Sequence, residues 1–264
     1  MVTRFWHIGS CSLFEKLNAS QLTSLETRAR IRTFDRGSTI YIPNDTPETV
    51  FLLADGRVRL CSHTPDGKQI ILGFIEPGEI FGELSLLDES PYEERAEAVS
   101  QATVVLIPAE VVRSLMEVDA KLSLGITKLL GFRRTRIERR LRSLIFRSNR
   151  DRVIQLLLDL CEQYGRSSTN GVEIGIPLSH QDMASIVGTT RESTTLVLGE
   201  FQEMGIVRVS RQRVVVLDLS RLAGLIQAVP PKLEATSRAE RERLTFQHKI
   251  LAASVKKLGD LPDV

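Results

Sequence analysis

Apolar positions along the chain change their period twice. From about residue 31 to residue 107 they come in short runs, TIYI, TVFLL, RVRLCSH, KQIILGFI and ATVVLI, rich in β-branched and aromatic residues. Turn signals separate them: Asp35-Arg36-Gly37, Pro43-Asn44-Asp45, Ala54-Asp55-Gly56, Pro65-Asp66-Gly67 and Glu76-Pro77-Gly78. Strands this closely spaced predict a small antiparallel barrel or sandwich. After Pro108 the period becomes helical, first in AEVVRSLME and then from Ala120 to Phe146. There Leu122, Ile126, Leu129, Ile137, Leu141 and Leu144 recur at three- or four-residue steps, with one interruption near Phe132-Arg133. A helix of about 27 residues spans about 40 Å. A narrow apolar stripe on so long a helix predicts a partner helix, most economically a second copy in a parallel coiled coil. The arginines would then lie on its solvated flanks or near DNA. Packing of the helix on its own domain is the alternative.

DRVIQLLLDLCEQY continues as a helix, GRSSTNG reads as a loop, and LSHQDMASIVGTTRESTTLVLGEFQEMGIV follows as residues 178–207. Ser179 and Asp182 form an S-x-x-D box before a helix whose buried face is Met183, Ala184, Ile186 and Val187. Gly188 stands where a positive φ is required. Thr189 or Thr190 caps a second helix, with Glu192 completing a T-x-x-E box; Val197, Leu198 and Phe201 face inward and Gly205 ends it. So short a turn forces a steep crossing, which is helix-turn-helix geometry. IVRVSRQRVVVLD then alternates as a hairpin around Arg211-Gln212, making the unit winged. Arg191, Glu192, Thr194 and Thr195 are the exposed residues at the start of the second helix, the part that meets base edges in the major groove. Arg can donate twice to guanine and Glu can accept from cytosine. Ser179, His180 and Gln181 open the first helix, Thr190 lies in the turn, and Arg208, Arg211 and Arg213 lie on the wing, all suited to phosphate. His180 reads equally as a bystander in the cap region. Beyond Pro230-Pro231, a Ser237–Glu240 capping box with Leu244, Leu251, Val255 and Leu258 predicts a C-terminal helix.

With 264 residues, 42% of them hydrophobic, the chain is long enough for about two domains. No window approaches about 18 uninterrupted apolar residues, and the opening segment lacks the pattern of a secretory signal, so no membrane contact and a cytoplasmic location are expected. Cys11, Cys61 and Cys161 are odd in number and dispersed, which predicts ordinary thiols rather than a disulfide framework or a zinc site. The net charge is only +2, but it is uneven: residues 132–152 are dense in arginine and residues 76–97 are rich in Glu. No GxSxG, HExxH or GxxxxGK[ST] occurs, and the Glu-rich run 89–97 reads as a solvated loop, so no enzyme is expected.

Across about residues 12–222 the chain resembles the Crp/Fnr family of bacterial transcription regulators. The likeness rests on the glycine-punctuated β segment, on GEIFGELSLLDESPYEERAEA, on the long helix and on LSHQDMASIVGTTRES. It implies an α+β fold with four parts: a jelly-roll-like β-roll sensor over 1–119, a dimerisation helix over 120–147, a winged helix-turn-helix over 148–222, and a helical extension over 223–264. Double-stranded DNA, a second copy and RNA polymerase are the partners it implies. Gly82, Glu83, Leu84, Arg95 and Ala96 match the positions at which cyclic-nucleotide-binding members hold cyclic AMP or cyclic GMP, which suits an anion at a helix start beside a guanidinium. The loop from Gly82 to Arg95 is about two residues longer than in the cyclic-AMP receptor. Ile137 and Glu138 fall where that protein contacts adenine, and Ile cannot make that hydrogen bond. The 2-oxoglutarate-sensing nitrogen-regulator (NtcA) branch is similar in its long helix, and its effector-contacting Arg and Glu fall on Arg133 and Glu138. Glu83 stands where that branch has an apolar residue, and a carboxylate beside a dianion is unfavourable unless it turns away. Arg133 reads otherwise as a polar interruption tuning a coiled coil. Arg191 and Glu192 match the family's base readers, whereas Leu196 replaces a second reading Arg and offers a thymine methyl an apolar contact. Haem and iron–sulfur sensing are disfavoured, since no N-terminal Cys cluster occurs and the β segment lacks a Cys/His pair at ligand positions. The alternative function is a ligand-sensing module that acts through a protein partner.

Overall fold

The computed structural model describes residues 8, 11, 13, 14, 17–231 except 65, 88 and 89, and 233. The helix expected from Ser237 onward lies outside the described residues. The chain divides into two compact units: residues up to Asn149 with Gln181–Arg191, and Arg150–His180 with the chain from Glu192. The content is α+β.

Among the described residues, the first unit is built on eight strands: β1 (Arg30–Phe34), β2 (Thr39–Tyr41), β3 (Thr49–Asp55), β4 (Val58–His63), β5 (Gln69–Ile75), β6 (Ile80–Phe81), β7 (Arg95–Ala98) and β8 (Ala102–Pro108). They form two antiparallel sheets, ordered β1-β8-β3-β6 and β2-β7-β4-β5. β3 and β8 read as unbroken apolar runs because both of their faces are buried. Phe51, Leu53, Ala102 and Val104 meet Tyr41, Val58, Ile75 and Ala98 of the other sheet. Val50, Leu52, Val105 and Ile107 face the opposite way, into a second core with α1 (Ala19–Arg28) and α2 (Ala109–Val118). The Glu-rich run expected to be a loop ends in β7. Ala96 and Ala98 are small enough to enter the first core opposite Leu60 and Val58, while Glu97 turns outward to Arg59 at 2.8 Å.

The long helix, α3 (Ala120–Phe146), begins where Asp119 accepts from the Lys121 and Leu122 N–H groups at 2.9 and 3.0 Å. Its apolar stripe serves two purposes. Leu122 and Ile126 are buried in the second core of their own unit, whereas Ile137 and Leu141 are 68% and 55% exposed. The arginines also divide, which corrects the expectation that they are solvated or near DNA. Arg133 and Arg140 reach back to the β-roll and donate to the Ile80 and Ile71 carbonyls, each at 2.6 Å.

In the second unit α4 (Asn149–Tyr164) buries Val153, Ile154, Leu157 and Leu160. GRSSTNG, expected as a loop, is half strand: β9 (Gly165–Ser168) pairs with β10 (Gly171–Ile174). β9 is the edge of a sheet ordered β11-β12-β10-β9, and its Arg and Ser side chains lie in water, so nothing apolar marks it as a strand. The expected wing is present as β11 (Val207–Ser210) and β12 (Arg213–Val216), with Gln212 at φ 58° in the turn. α5 (His180–Val187), α6 (Arg191–Glu203) and α7 (Leu219–Gly224) complete the described chain. Gly188, after α5, has φ 73° as expected.

Candidate effector site and nucleic-acid interface

β6 ends at Gly82, whose φ of 68° turns the backbone into one 3-10 turn, Glu83–Leu86. Four residues are too few for the helix-dipole anion site that the sequence pattern suggested. A Cβ at residue 82 would come within 2.9 Å of the Phe51 ring and 3.3 Å of Tyr92, so only glycine fits. Around it, aromatic rings fill the interior of the roll. Tyr41 stacks on Tyr92 with centroids 4.2 Å apart and on Phe51 at 5.2 Å, and Phe51 on Phe81 at 5.1 Å. Such pairs add about 0.5–1.5 kcal/mol each beyond burial. Tyr92 comes from the lengthened loop and was missed in the sequence, although an aromatic within a polar turn was the available signal. Its hydroxyl donates to the Thr49 carbonyl at 2.5 Å, and burial pushes its pKa up to about 12. The Tyr41 hydroxyl donates to Glu94 at 2.7 Å.

The expected effector residues separate into three places. Glu83 is buried, and its carboxylate forms an ion pair with Arg133 from α3. Leu84 is 52% exposed beside it. Arg95 and Ala96 lie on opposite faces of β7: Ala96 points into the aromatic core, while Arg95 is registered opposite Cys61. Glu138 is turned about 140° around the helix from Arg133, five residues on at 3.6 per turn. It pairs instead with Arg134, at 2.8 Å on the exposed surface. The structure therefore joins Gly82, Glu83 and Arg133, and separates Arg95 and Glu138 from them.

The sites expected at DNA lie around α5 and α6. Thr190 directly precedes α6, and Arg191, Glu192, Thr195 and Leu196 are exposed along its first turns. Thr194, expected on that surface, is a correction: it is fully buried. It stands four residues before Leu198 and seven before Phe201, both fully buried, and so shares their face. Ser179 and His180 are half-buried and Gln181 is exposed. The Nδ1 of His180 lies 2.8 Å from the Thr195 hydroxyl. On the wing Arg208 and Arg211 are exposed, whereas Arg213 is engaged by Glu173 at 2.6 Å, which holds that carboxyl below its usual range.

The three cysteines are free, buried thiols, and burial pushes Cys161 up to about 12. Among the described residues no helix is long and apolar enough to cross a membrane.

Comparison with known proteins divides the chain in the same sense. Residues 31–119 match the family described as cyclic nucleotide-binding domain, and residues 151–225 match the Crp-like helix-turn-helix domain. The CRP-like cAMP-activated global transcriptional regulator of Mycobacterium tuberculosis is 25% identical over 216 residues, covering 82% of this chain and 96% of its own. The global nitrogen regulator of a Nostoc species is 30% identical over 188 residues, covering 70% of this chain and 84% of its own. Among solved structures, the c-di-GMP responsive global regulator CLP of Xanthomonas campestris aligns with a TM-score of 0.67 at 25% identity. That alignment spans 75% of this chain and 99% of the other.

Proposed function

The chain belongs to the Crp/Fnr family of transcription regulators, and from that premise we propose that it acts as a cytoplasmic homodimer, not an enzyme, that reads a near-palindromic DNA site under the control of a small anionic effector. The observation that carries this reading is the two-sided character of α6. One face is anchored by Thr194, Leu198 and Phe201, all fully buried, and the other leaves Arg191, Glu192 and Leu196 in water at the helix start. Residues so placed enter the major groove N-terminus first. In this reading Arg191 donates to guanine, Glu192 accepts from cytosine, and Thr195 adds a polar contact. Ser179, His180, Gln181, Thr190 and Arg211 hold phosphates and set the position on the duplex.

Two reading helices must lie about 34 Å apart to meet successive turns of one groove. The exposed Ile137, Leu141 and Ile145 of α3 support pairing with a second copy. The effector enters the β-roll near Gly82, Glu83, Leu84 and Arg133, with Arg95, Ala96 and Glu138 as further candidate contacts. Cyclic AMP, cyclic GMP and 2-oxoglutarate are the anions to try, and RNA polymerase is the partner through which bound dimer would act on transcription. A selection from random duplexes, followed by affinity measurement across salt concentrations, tests the core of this reading. The expected outcome is a two-fold symmetric site with a steep fall in affinity as salt rises. An absence of sequence preference would favour action through a protein partner instead.

A further inference from the structure

α5 is buried on two sides. Met183, Ala184 and Val187 form the buried apolar face expected of the first helix of a helix-turn-helix. At about 100° per residue, Asp182 and Ser185 lie on the opposite side, which an amphipathic helix leaves in water. Here Ser185 is only 7% exposed. The β-roll occupies that side, and from Gln181 onward α5 belongs to the same compact unit as the roll. Arg59 of β4 donates to Asp182 at 3.3 Å through Nη1, while its Nη2 holds Glu97 of β7 at 2.8 Å. Arg140 of α3 donates to the Ile71 carbonyl of β5 at 2.6 Å and to the Ser185 carbonyl at 3.3 Å. Ser185 stands in the last turn of α5, where carbonyls lack partners within the helix, so the guanidinium caps that end. Gln181, proposed to hold a phosphate, donates along the helix to the Ser185 hydroxyl at 3.4 Å.

Cys61 marks the covered patch of the roll. Val58 and Leu60 point into the first core, so Arg59 and Cys61 point outward. Cys61 is nonetheless fully buried, and it is registered opposite Ile71, which is buried too. It therefore lies between the two places at which α5 is held. We propose that this docking is an autoinhibitory latch. The β-roll holds the outward side of α5, with which the first helix of a helix-turn-helix crosses the phosphate backbone, and must let go before DNA is bound. The inference rests on the reading that the chain binds DNA. Two features make the contact a latch rather than a permanent joint. Its links are an ion pair and a hydrogen bond to a carbonyl, both of which water can replace. Among the described residues Arg59 Nε is also buried without a hydrogen-bond partner, a cost of the docked form that release removes.

The test is the affinity of the full chain, without effector, for the duplex recovered by selection. It compares the wild type, Arg59→Gln, Asp182→Asn and the double variant, each shown to be folded by its thermal melt. The single substitutions change the charge in opposite directions, so through charge alone Arg59→Gln would weaken binding to DNA and Asp182→Asn would strengthen it. Release of a latch tightens both, by about tenfold, and the double variant gains little beyond either. Alkylation of Cys61 by iodoacetamide, followed on its peptide by mass, reads the latch without DNA. It is expected to quicken in every variant, while Cys11 and Cys161, buried elsewhere, keep their wild-type rates. Arg59→Gln strips Glu97 of its partner, and if it does not fold, the Cys61 rate in Asp182→Asn decides alone. If Arg59→Gln binds the duplex no more tightly than the wild type, or Cys61 keeps its wild-type rate in the variants, the latch is overturned and DNA binding stands. Failure of every folded protein to bind a duplex removes both.

Discussion

Arg150 grips Glu200 through two nitrogens, with Nη2 2.7 Å from Oε1 and Nε 3.1 Å from Oε2, and its guanidinium carbon stands 5.3 Å from the centre of the Phe201 ring. This joins the first turn of α4 to the third turn of α6. It therefore helps to set the direction of the helix proposed to read DNA, using a planar fork that Lys lacks. The hydrogen bond from Arg150 holds the Glu200 carboxyl below its usual range.

Glu200→Gln should therefore lower the stability of the second unit near neutral pH. With side chains 34% and 44% exposed, the pair is discounted for solvent screening to about 0.5 kcal/mol. The sign follows from the depressed carboxyl. The contribution is fully present above the unfolded carboxylate value of about 4.3 and disappears as pH falls through the lower folded value. Melts of the two proteins should differ at pH 7 and converge at the acid end. A difference that persists in acid would assign the effect to packing on Phe201 rather than to charge.

His180 and Thr195 make a second joint. If the imidazole orients the Thr195 hydroxyl, His180→Ala and Thr195→Ala should each weaken DNA binding by about 1 kcal/mol, the ordinary worth of one hydrogen bond. The double variant should then lose little more than either single one. Affinities of the four proteins for one duplex at one salt concentration decide it. Fully additive losses would mean that the two side chains meet DNA independently.

Much of this arrangement was legible in the sequence, and the reasons for the rest are physical. Turn residues and β-branched runs gave the strands of the β-roll, because each turn needs its own local chemistry. The helical period alone marks α3 from Ala120 to Phe146, and the Asp119 cap that starts it is a finding of the structure. β7 was hidden because Ala and Glu have low strand propensity, and its place is earned by the small volume of Ala96 and Ala98 in a core supplied by other strands. The burial of Thr194 is legible in the sequence, since Leu198, an inward position, lies on the same face one turn later. The Glu83–Arg133 pair joins residues 50 positions apart and leaves no local pattern to read. Tyr92 likewise lies in a polar stretch that reads as loop, and only the stacking of its ring on Tyr41 gives it a place in the core.

Leu196 is 76% exposed on α6, close to Arg191 and Glu192. An aliphatic side chain in that place distinguishes bases only by contact with a thymine methyl. An Arg there would add two donors aimed at guanine, worth about 1–3 kcal/mol of discrimination. Leu196→Arg should therefore shift one position of each half-site toward guanine in a selection from random duplexes, and leave the positions read by Arg191 and Glu192 unchanged. An unaltered preferred sequence would show that this side of α6 does not face the bases.

The two halves of α3 should answer differently to the same chemistry. Ile126 is 1% exposed in the core of its own unit, so Ile126→Ala removes buried methyl groups and leaves a cavity costing about 2–5 kcal/mol. Ile137 and Leu141 are exposed, and an acidic residue there costs a lone chain almost nothing. In a paired coil the same acid would sit opposite its own copy, desolvated and with like charge. Ile137→Glu should accordingly keep the melting behaviour of a folded protein, sediment as a single chain at micromolar concentration and lose tight binding to the symmetric site. Ile126→Ala should melt earlier while still sedimenting as a pair. The contrast separates folding from association, because each variant moves one readout and spares the other. If Ile137→Glu still formed pairs and bound its site as tightly as the wild type, the exposed stripe would have to be covered by something other than a second α3.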